Sequence, residues 1–128
     1  MEKLQLTTLY YLVDQKELNQ IVESNYKKIP PRANEQNMFY PLLNQAYAEQ
    51  IAHDWNNNGF YATYAVHVIA VDMLTAYLEQ FPIQQVGNEM EKELWILSTE
   101  LERFNAQIMG RIKLVKSFFG ERSIKIAV

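Results

Sequence analysis

Residues 5–18 read QLTTLYYLVDQKEL, and they contain the change from a strand pattern to a helix pattern that sets the fold class. The first part mixes β-branched, aromatic and leucine side chains, a composition typical of a strand. Asp14 follows as a helix N-cap, and Glu17 three residues later completes an acidic capping box. Leu18 and Ile21 begin the apolar stripe of that helix. The stretch predicts a strand joined directly to a short helix.

The rest of the chain alternates short strand and helix patterns. Further helices are predicted to begin at the capping residues Asn44, Asp72 and Thr99. Further strands are predicted at residues 38–42, 60–71, 83–86, 93–97 and 111–114. Because the helices are short and an Asn-rich turn at residues 56–59 interrupts the middle, the sequence predicts an α+β fold. We expect a split, mixed and mostly antiparallel sheet with three to four short helices.

The composition is that of an ordinary globular domain, with 128 residues of which 48% are apolar. We expect a single domain over residues 1–128, with a core at about 5–119 and a C-terminal tail at 120–128. No apolar run reaches the roughly 18 residues of a membrane helix, and the first residues lack the apolar segment of a secretory signal. The absence of cysteine excludes a thiolate zinc site and a thiol nucleophile. Together these features predict a cytoplasmic protein without a membrane contact.

Positive charge is concentrated at the C-terminal end of the chain. Residues 1–102 carry 6 Lys/Arg and 14 Asp/Glu, whereas residues 103–128 carry 6 Lys/Arg and one Glu. Such an end can bind phosphates, but it can equally pair with the acidic remainder of its own fold. No aromatic residue is interleaved with the basic ones after Phe119, which favours internal pairing and disfavours a nucleic-acid partner.

Few residues carry a recognisable catalytic pattern. His53 and His67 are expected to be structural, because the chain has no His-Glu-x-x-His and no second His at a ligand spacing, so no metal is expected. No serine lies in a Gly-x-Ser-x-Gly motif, and both Gly-x-Gly-x-x-Gly and the P-loop are missing. Glu91 and Glu93 would share a strand face, where a carboxylate can stabilise a developing cation or take a proton. A solvated acidic start to the strand is the alternative interpretation.

The stretch from Lys27 to Leu43 has an order that packing alone does not require. Its prolines, Pro30 and Pro31, hold the backbone extended and present Arg32 at a defined place. Tyrosine is abundant, at 8 of 128 residues, and several tyrosines fall on predicted strands. These rings could stack on a nucleobase or a nicotinamide, although aromatic residues on strands are more often part of a core or a sheet surface.

A series of short segments resembles a family of small uncharacterised bacterial proteins that is labelled ADP-ribosylation/crystallin-like. The segments are, in order, Thr8-Leu9-Tyr10, Pro30-Pro31-Arg32, residues 39–44 (FYPLLN), Tyr47-Ala48, residues 50–52 (QIA), residues 54–56 (DWN), residues 85–87 (QVG), residues 93–96 (ELWI), and Glu100-Leu101 with Phe104-Asn105. The resemblance covers about residues 7–119, and it rests on the order and spacing of these segments.

The resemblance implies a compact ADP-ribosyltransferase-like fold, a split sheet that holds NAD in a central cleft. In such enzymes a Ser or Tyr on a middle strand and a Glu late in the chain serve the reaction. Carried over to this sequence, Tyr40 would contact the cofactor and Glu93 would be the catalytic carboxylate, which favours an oxocarbenium-like transition state. Arg32 would bind the pyrophosphate as a bidentate donor. The stretch from Lys27 to Leu43 would then be one wall of the cleft, with Glu93 on the opposite wall.

One position departs from the family pattern. Members usually carry Arg after the Leu-Tyr of the first strand, and here that position is Tyr11, whose phenol lacks a cationic fork. Tyr11 is therefore assigned only stacking or a single hydrogen bond to the cofactor, and degraded activity is expected. The alternative is a non-catalytic protein-interaction module of the same fold, with a homodimer paired along an edge strand as one form of it.

Overall fold

A computed structural model of the protein describes residues 4–32, 37–57 and 65–119, in an α+β arrangement that confirms the predicted fold class. The strands are β1 (Leu6–Asp14), β2 (Met38–Phe39), β3 (Ala65–Leu74), β4 (Ile83–Gln85), β5 (Lys92–Leu94), β6 (Ile96–Leu97) and β7 (Ile108–Phe119). The helices are α1 (Gln15–Glu23), α2 (Gln45–Asn57), α3 (Thr75–Leu78) and α4 (Leu101–Ala106), with a 3-10 turn at Ser98–Glu100. None of the helices in these ranges is long and apolar enough to cross a membrane. The turn predicted at residues 56–59 is wrong for Asn56 and Asn57, which end α2. Residues 58–59, and residues 60–64 of the strand predicted at 60–71, lie outside the described residues.

Helix starts with local capping signals form as predicted. The Asp14 carboxylate accepts a hydrogen bond from the Glu17 amide at 2.8 Å, and the Glu17 carboxylate accepts one from the Asp14 amide at 2.9 Å. The Asn44 side chain likewise accepts a hydrogen bond from the Tyr47 amide at 2.9 Å, at the start of α2. These bonds satisfy amide groups that have no partner inside a helix.

Two predicted helix starts are wrong. Asp72 lies inside β3, where its carboxylate accepts a hydrogen bond from the Thr8 hydroxyl at 2.6 Å, and α3 begins at Thr75 without a side-chain cap. Thr99 lies within the 3-10 turn, and α4 begins after Glu100, also without a side-chain cap. In the case of Asp72, a partner on the neighbouring strand replaced the local amide that the sequence pattern offers.

The central sheet is antiparallel, with β3 between β1 and β7. It continues beyond β1 through a single residue, because Leu42 and Tyr10 exchange two backbone hydrogen bonds, of 2.7 and 2.8 Å. Leu42 also forms a bridge with Glu93 of β5, and β5 pairs with β4. The order across the sheet is therefore β4, β5, Leu42, β1, β3 and β7.

Residues 37–43 and 92–98 form one antiparallel ladder. β2 pairs with β6 through Met38 opposite Leu97, and the same register places Leu42 opposite Glu93. Pro41 lies between these pairs; it is fully buried, and its carbonyl accepts a hydrogen bond from the Leu94 amide at 2.8 Å. Because a proline has no amide hydrogen, it only accepts in this ladder, and the pairing splits into short pieces around it.

The two faces of the sheet carry separate cores. The α1 face packs against α1 and α4, and its buried residues are Leu9, Tyr11, Val13, Leu18, Ile21, Ile29, Phe39, Ile69, Val71, Met73, Leu78, Leu94, Ile96, Phe104 and Ile112. The α2 face packs against α2, and its buried residues are Leu12, Leu42, Ala48, Ala52, Val66 and Val68. Side chains alternate along β3, so its odd-numbered residues 69, 71 and 73 lie on the α1 face and its even-numbered residues 66 and 68 lie on the α2 face.

The outer strand β7 is irregular. Its register against β3 shifts twice, and Gly110 lies in one of these shifts with φ of 74°, a conformation that suits glycine. The Ile112 amide donates a hydrogen bond of 2.7 Å to the carbonyl of Tyr26, which follows α1. Lys113 lies 3.1 Å from the Asp72 carboxylate and Lys116 lies 3.8 Å from Glu49, so part of the basic end pairs with acidic residues of the same fold.

Candidate functional site

Arg32 lies on the α1 face of the sheet, where its side chain forms hydrogen bonds with other residues of the chain. Its Nε donates a hydrogen bond of 2.8 Å to the Glu17 carboxylate, and its guanidinium also donates to the Leu12 carbonyl. The guanidinium carbon lies 4.7 Å from the centre of the Tyr11 ring, a cation–π contact. The side chains of Arg32 and Glu17 are 22% and 11% exposed, so solvent screens this pair only in part. Burial raises the pKa of the Tyr11 phenol, and the charge of Arg32 opposes that shift.

The two prolines before Arg32 form a ridge beside a groove. The groove has a volume of about 490 Å³, and its other walls come from α1 and from the segment that contains Ser98, Thr99 and Glu102. A smaller adjoining pocket reaches Tyr11 and Arg32 behind the ridge. Residues 28–31 supply one wall of this groove, and the facing wall is built from the 3-10 turn and α4; neither Tyr40 nor Glu93 lines it.

Tyr40 and Trp95 form an exposed aromatic pair at the far end of the sheet. The register of residues 37–43 against 92–98 places these two residues opposite each other. Their ring centres are 6.0 Å apart, and the rings meet edge to face at 78°. Both residues are 39% exposed, a large fraction for rings of this size in a folded domain.

Glu93 lies beside this pair. The Trp95 indole Nε1 donates a hydrogen bond of 2.8 Å to the Glu93 carboxylate. Burial raises the pKa of Tyr47 on α2, and the charges of Glu93 and Glu91 raise it further, so the Tyr47 hydroxyl lies in a negative field. We call Tyr40, Tyr47, Glu93 and Trp95 the Trp95 surface.

The four predicted site residues fall into two pairs on opposite faces of the sheet. Leu42 bridges both Tyr10 and Glu93, and cross-strand partners point to the same face, which is the α2 face. Tyr11 follows Tyr10 in β1 and belongs to the α1-face core together with its partner Arg32. The structure therefore brings Tyr11 to Arg32, and Tyr40 to Glu93 through Trp95, but it separates the two pairs by the thickness of the sheet.

The buried histidine is fully partnered. His67 Nδ1 lies 2.6 Å from the Ser117 hydroxyl, and Nε2 lies 2.8 Å from the side-chain oxygen of Gln15. Burial lowers the pKa of His67, and the nearby charge of Asp14 opposes that shift. This arrangement fits the predicted structural role. Across the described ranges, His, Asp and Glu side chains nowhere gather in a group that could hold a metal ion.

Comparison with known proteins gives no relative. No protein-family model, no curated protein and no solved structure matches this chain at a significant level.

Two residues of these sites were not singled out from the sequence. Glu17 was assigned only to the capping box, yet its second carboxylate oxygen binds Arg32. Trp95 was only part of a strand pattern, and its contact with Tyr40 follows from the pairing of two segments far apart in the chain. The alternation of Glu93 and Trp95 around the apolar Leu94 and Ile96 was the available signal that both face away from the α1-face core.

Proposed function

We propose that the protein is a non-catalytic binding module that contacts a partner protein through the Trp95 surface. The observation that carries the proposal is the exposed pair of Tyr40 and Trp95, whose rings contact each other edge to face on the surface of the sheet. Tyr and Trp are enriched at the energetically dominant positions of protein interfaces, because each buries a large area at a small entropy cost.

The state of Arg32 supports a binding role over a transferase role. A bidentate phosphate contact would need the guanidinium, which here already bonds the Glu17 carboxylate and the Leu12 carbonyl. Moving it to a ligand would leave the Glu17 carboxylate, in a residue only 8% exposed, without its cation. Glu93 also lies on the α2 face, whereas Arg32 lies on the α1 face, so the two could not contact one bound NAD from the same cleft.

The test is quantitative affinity capture followed by direct measurement. Tagged wild-type protein is compared with the Tyr40→Ala/Trp95→Ala double variant and with Leu114→Ala, a matched control that removes an apolar side chain 49% exposed on β7. We expect the double variant to lose the captured partner and the control to keep it. The purified partner should then bind wild-type protein in isothermal titration at least tenfold more tightly than the double variant. Equal binding by the two would contradict the proposal.

A second candidate is the ADP-ribosyltransferase-like function with NAD as its cofactor. It is favoured by one observation, a half-buried carboxylate, Glu93, beside two aromatic rings on which a nicotinamide or an adenine could stack. Isothermal titration with NAD and mass spectrometry for released nicotinamide test it, with Glu93→Gln as the variant that should lose turnover. Absence of binding at millimolar NAD, or turnover unchanged in Glu93→Gln, rules it out.

A further inference from the structure

We propose that the Trp95 surface binds a cationic side chain, an arginine or a lysine, of the partner protein. This inference rests on the proposed function and adds the chemistry of what is recognised. It is carried by the combination of an exposed aromatic pair with carboxylates on one patch of the α2 face.

The aromatic part of the surface suits a cation. The faces of aromatic rings carry partial negative charge, and a cation placed within about 6 Å of a ring centre is attracted to it. Because Tyr40 and Trp95 meet edge to face at 78°, their faces point in two directions and form two sides of an open corner. An ammonium or guanidinium group in that corner would contact ring surface while part of it stays in water.

The Glu93 carboxylate makes the corner negative, and Glu91 adds negative charge near Tyr47. Glu93 is oriented by its bond with the Trp95 indole, and Glu91 accepts a hydrogen bond of 3.1 Å from the Asn88 amide in the turn between β4 and β5. In the part of the chain that is described, neither carboxylate forms a salt bridge with a Lys or Arg of the protein. Their negative charge is therefore available to an incoming cation.

The Glu91 carboxylate lies against the backbone of the turn between β4 and β5. It contacts Gly87, where an added Cβ would lie 2.8 Å from the carboxyl atoms, and it accepts the bond from the Asn88 amide. The backbone of the turn is closed by the Val86 amide, which donates a hydrogen bond of 2.9 Å to the Glu91 carbonyl. The negative charge beside Tyr47 is thus set by a bonded turn, which reduces the reorganisation that binding would require.

The opposite charge and an uncharged ligand fit less well. An anionic side chain would meet the Glu93 carboxylate, which carries charge of the same sign. A purely apolar side chain could pack on the rings but would cover Glu93 without replacing its contact with water. A cation satisfies the rings and the carboxylate together.

The test uses three short blocked peptides that differ at one central residue, which is arginine, lysine or citrulline, the uncharged analogue of arginine. Binding is followed by nitrogen–proton NMR on the indole Nε1–H signal of Trp95, which reports its bond with Glu93 directly. The other tryptophan, Trp55, serves as an internal control, and a Trp55→Phe variant assigns the two signals.

We expect the arginine and lysine peptides to shift the Trp95 signal in a saturable, salt-sensitive way, and the citrulline peptide to bind at least fivefold more weakly. Glu93→Gln should weaken the binding of the arginine peptide by about fivefold to tenfold. The matched change Glu102→Gln, which lies in α4, should leave that binding unchanged. Tyr40→Ala removes one ring of the aromatic pair and leaves the Glu93 charge in place, so this second variant tests the contribution of the rings to binding.

Equal binding of arginine and citrulline peptides at Trp95 would overturn cation recognition while leaving the aromatic surface as a binding site. No shift of the Trp95 signal with any peptide at millimolar concentration would also overturn it. Neither result bears on partner capture by the wild-type protein, so failure of this inference is distinguishable from failure of the proposed function.

Discussion

Replacing Arg32 should destabilise the fold, because its guanidinium completes a partly buried ion pair. In Arg32→Gln the Glu17 carboxylate loses a donor at 2.8 Å, the Leu12 carbonyl loses another, and the Tyr11 ring loses the cation above it. Breaking a fully buried pair costs about 3–5 kcal/mol. Since the Arg32 side chain is 22% exposed, we expect about 2–3 kcal/mol, discounted for solvent screening.

The assay is urea unfolding followed by circular dichroism, applied to a double-mutant cycle. With a slope of about 2 kcal/mol per molar urea, the expected loss moves the midpoint down by roughly 1–1.5 M. Glu17→Gln keeps the capping box, since Gln serves at that position, and it removes the charge. The double variant should show a coupling energy of about 1–2 kcal/mol between the two side chains.

A small coupling energy would contradict a stabilising role of the pair formed by Arg32 and Glu17. If Arg32→Gln costs under about 0.5 kcal/mol and the coupling is near zero, the guanidinium does not stabilise the fold. Arg32 would then be available for a ligand phosphate, and the transferase interpretation would gain support. Tyr11→Phe serves as a control, because it keeps the ring below the guanidinium and removes only the phenol oxygen.

Three further outcomes are expected. Phe104→Ala should lower the free energy of unfolding by about 3–5 kcal/mol in the same urea assay, since the ring is fully buried in the α1-face core; a loss under 1 kcal/mol would contradict that packing. Burial lowers the pKa of His67 in the folded state, so the unfolded chain takes up the proton first and stability should fall as pH drops below about 6.5; His67→Gln should flatten this dependence, and an unchanged dependence in that variant would contradict it. Asn105→Ala should cost about 2 kcal/mol by thermal unfolding, because the amide of Asn105 bonds both the amide and the carbonyl of Ile29, each at 2.9 Å, and an unchanged melting temperature would refute this.

Local signals explain how much of the fold the sequence could predict. The starts of α1 and α2 were predictable because each cap and its partner are three residues apart. Asp72 carries the same type of signal, but its partner, Thr8, is 64 residues away on β1. A rule based on neighbouring residues cannot include a hydrogen bond to a distant strand, so Asp72 was wrongly assigned as a helix cap.

The candidate site was less predictable, since it depends on strand order. The alternation of side chains along a strand predicts that Tyr10 and Tyr11 point to opposite faces, but not which face receives Glu93. That assignment needs the bridge of Leu42 to both Tyr10 and Glu93, which joins three separate parts of the chain. Pro30 and Pro31 were noted in the sequence, whereas in the groove wall that faces them the sequence pattern indicated only a helix start at Thr99.

The irregular outer strand limits how copies of this chain can associate. If β7 of a second copy paired with this β7, the hydrogen bond between the Ile112 amide and the Tyr26 carbonyl would have to break, and the irregular register at Gly110 would have to straighten. The same pairing would bring Lys113 and Lys116 close to the same two lysines of the other copy. Each of these steps opposes polymerisation through backbone pairing. A homodimer of this protein is therefore expected to form away from β7, either through side-chain contacts or along the opposite edge of the sheet at β4.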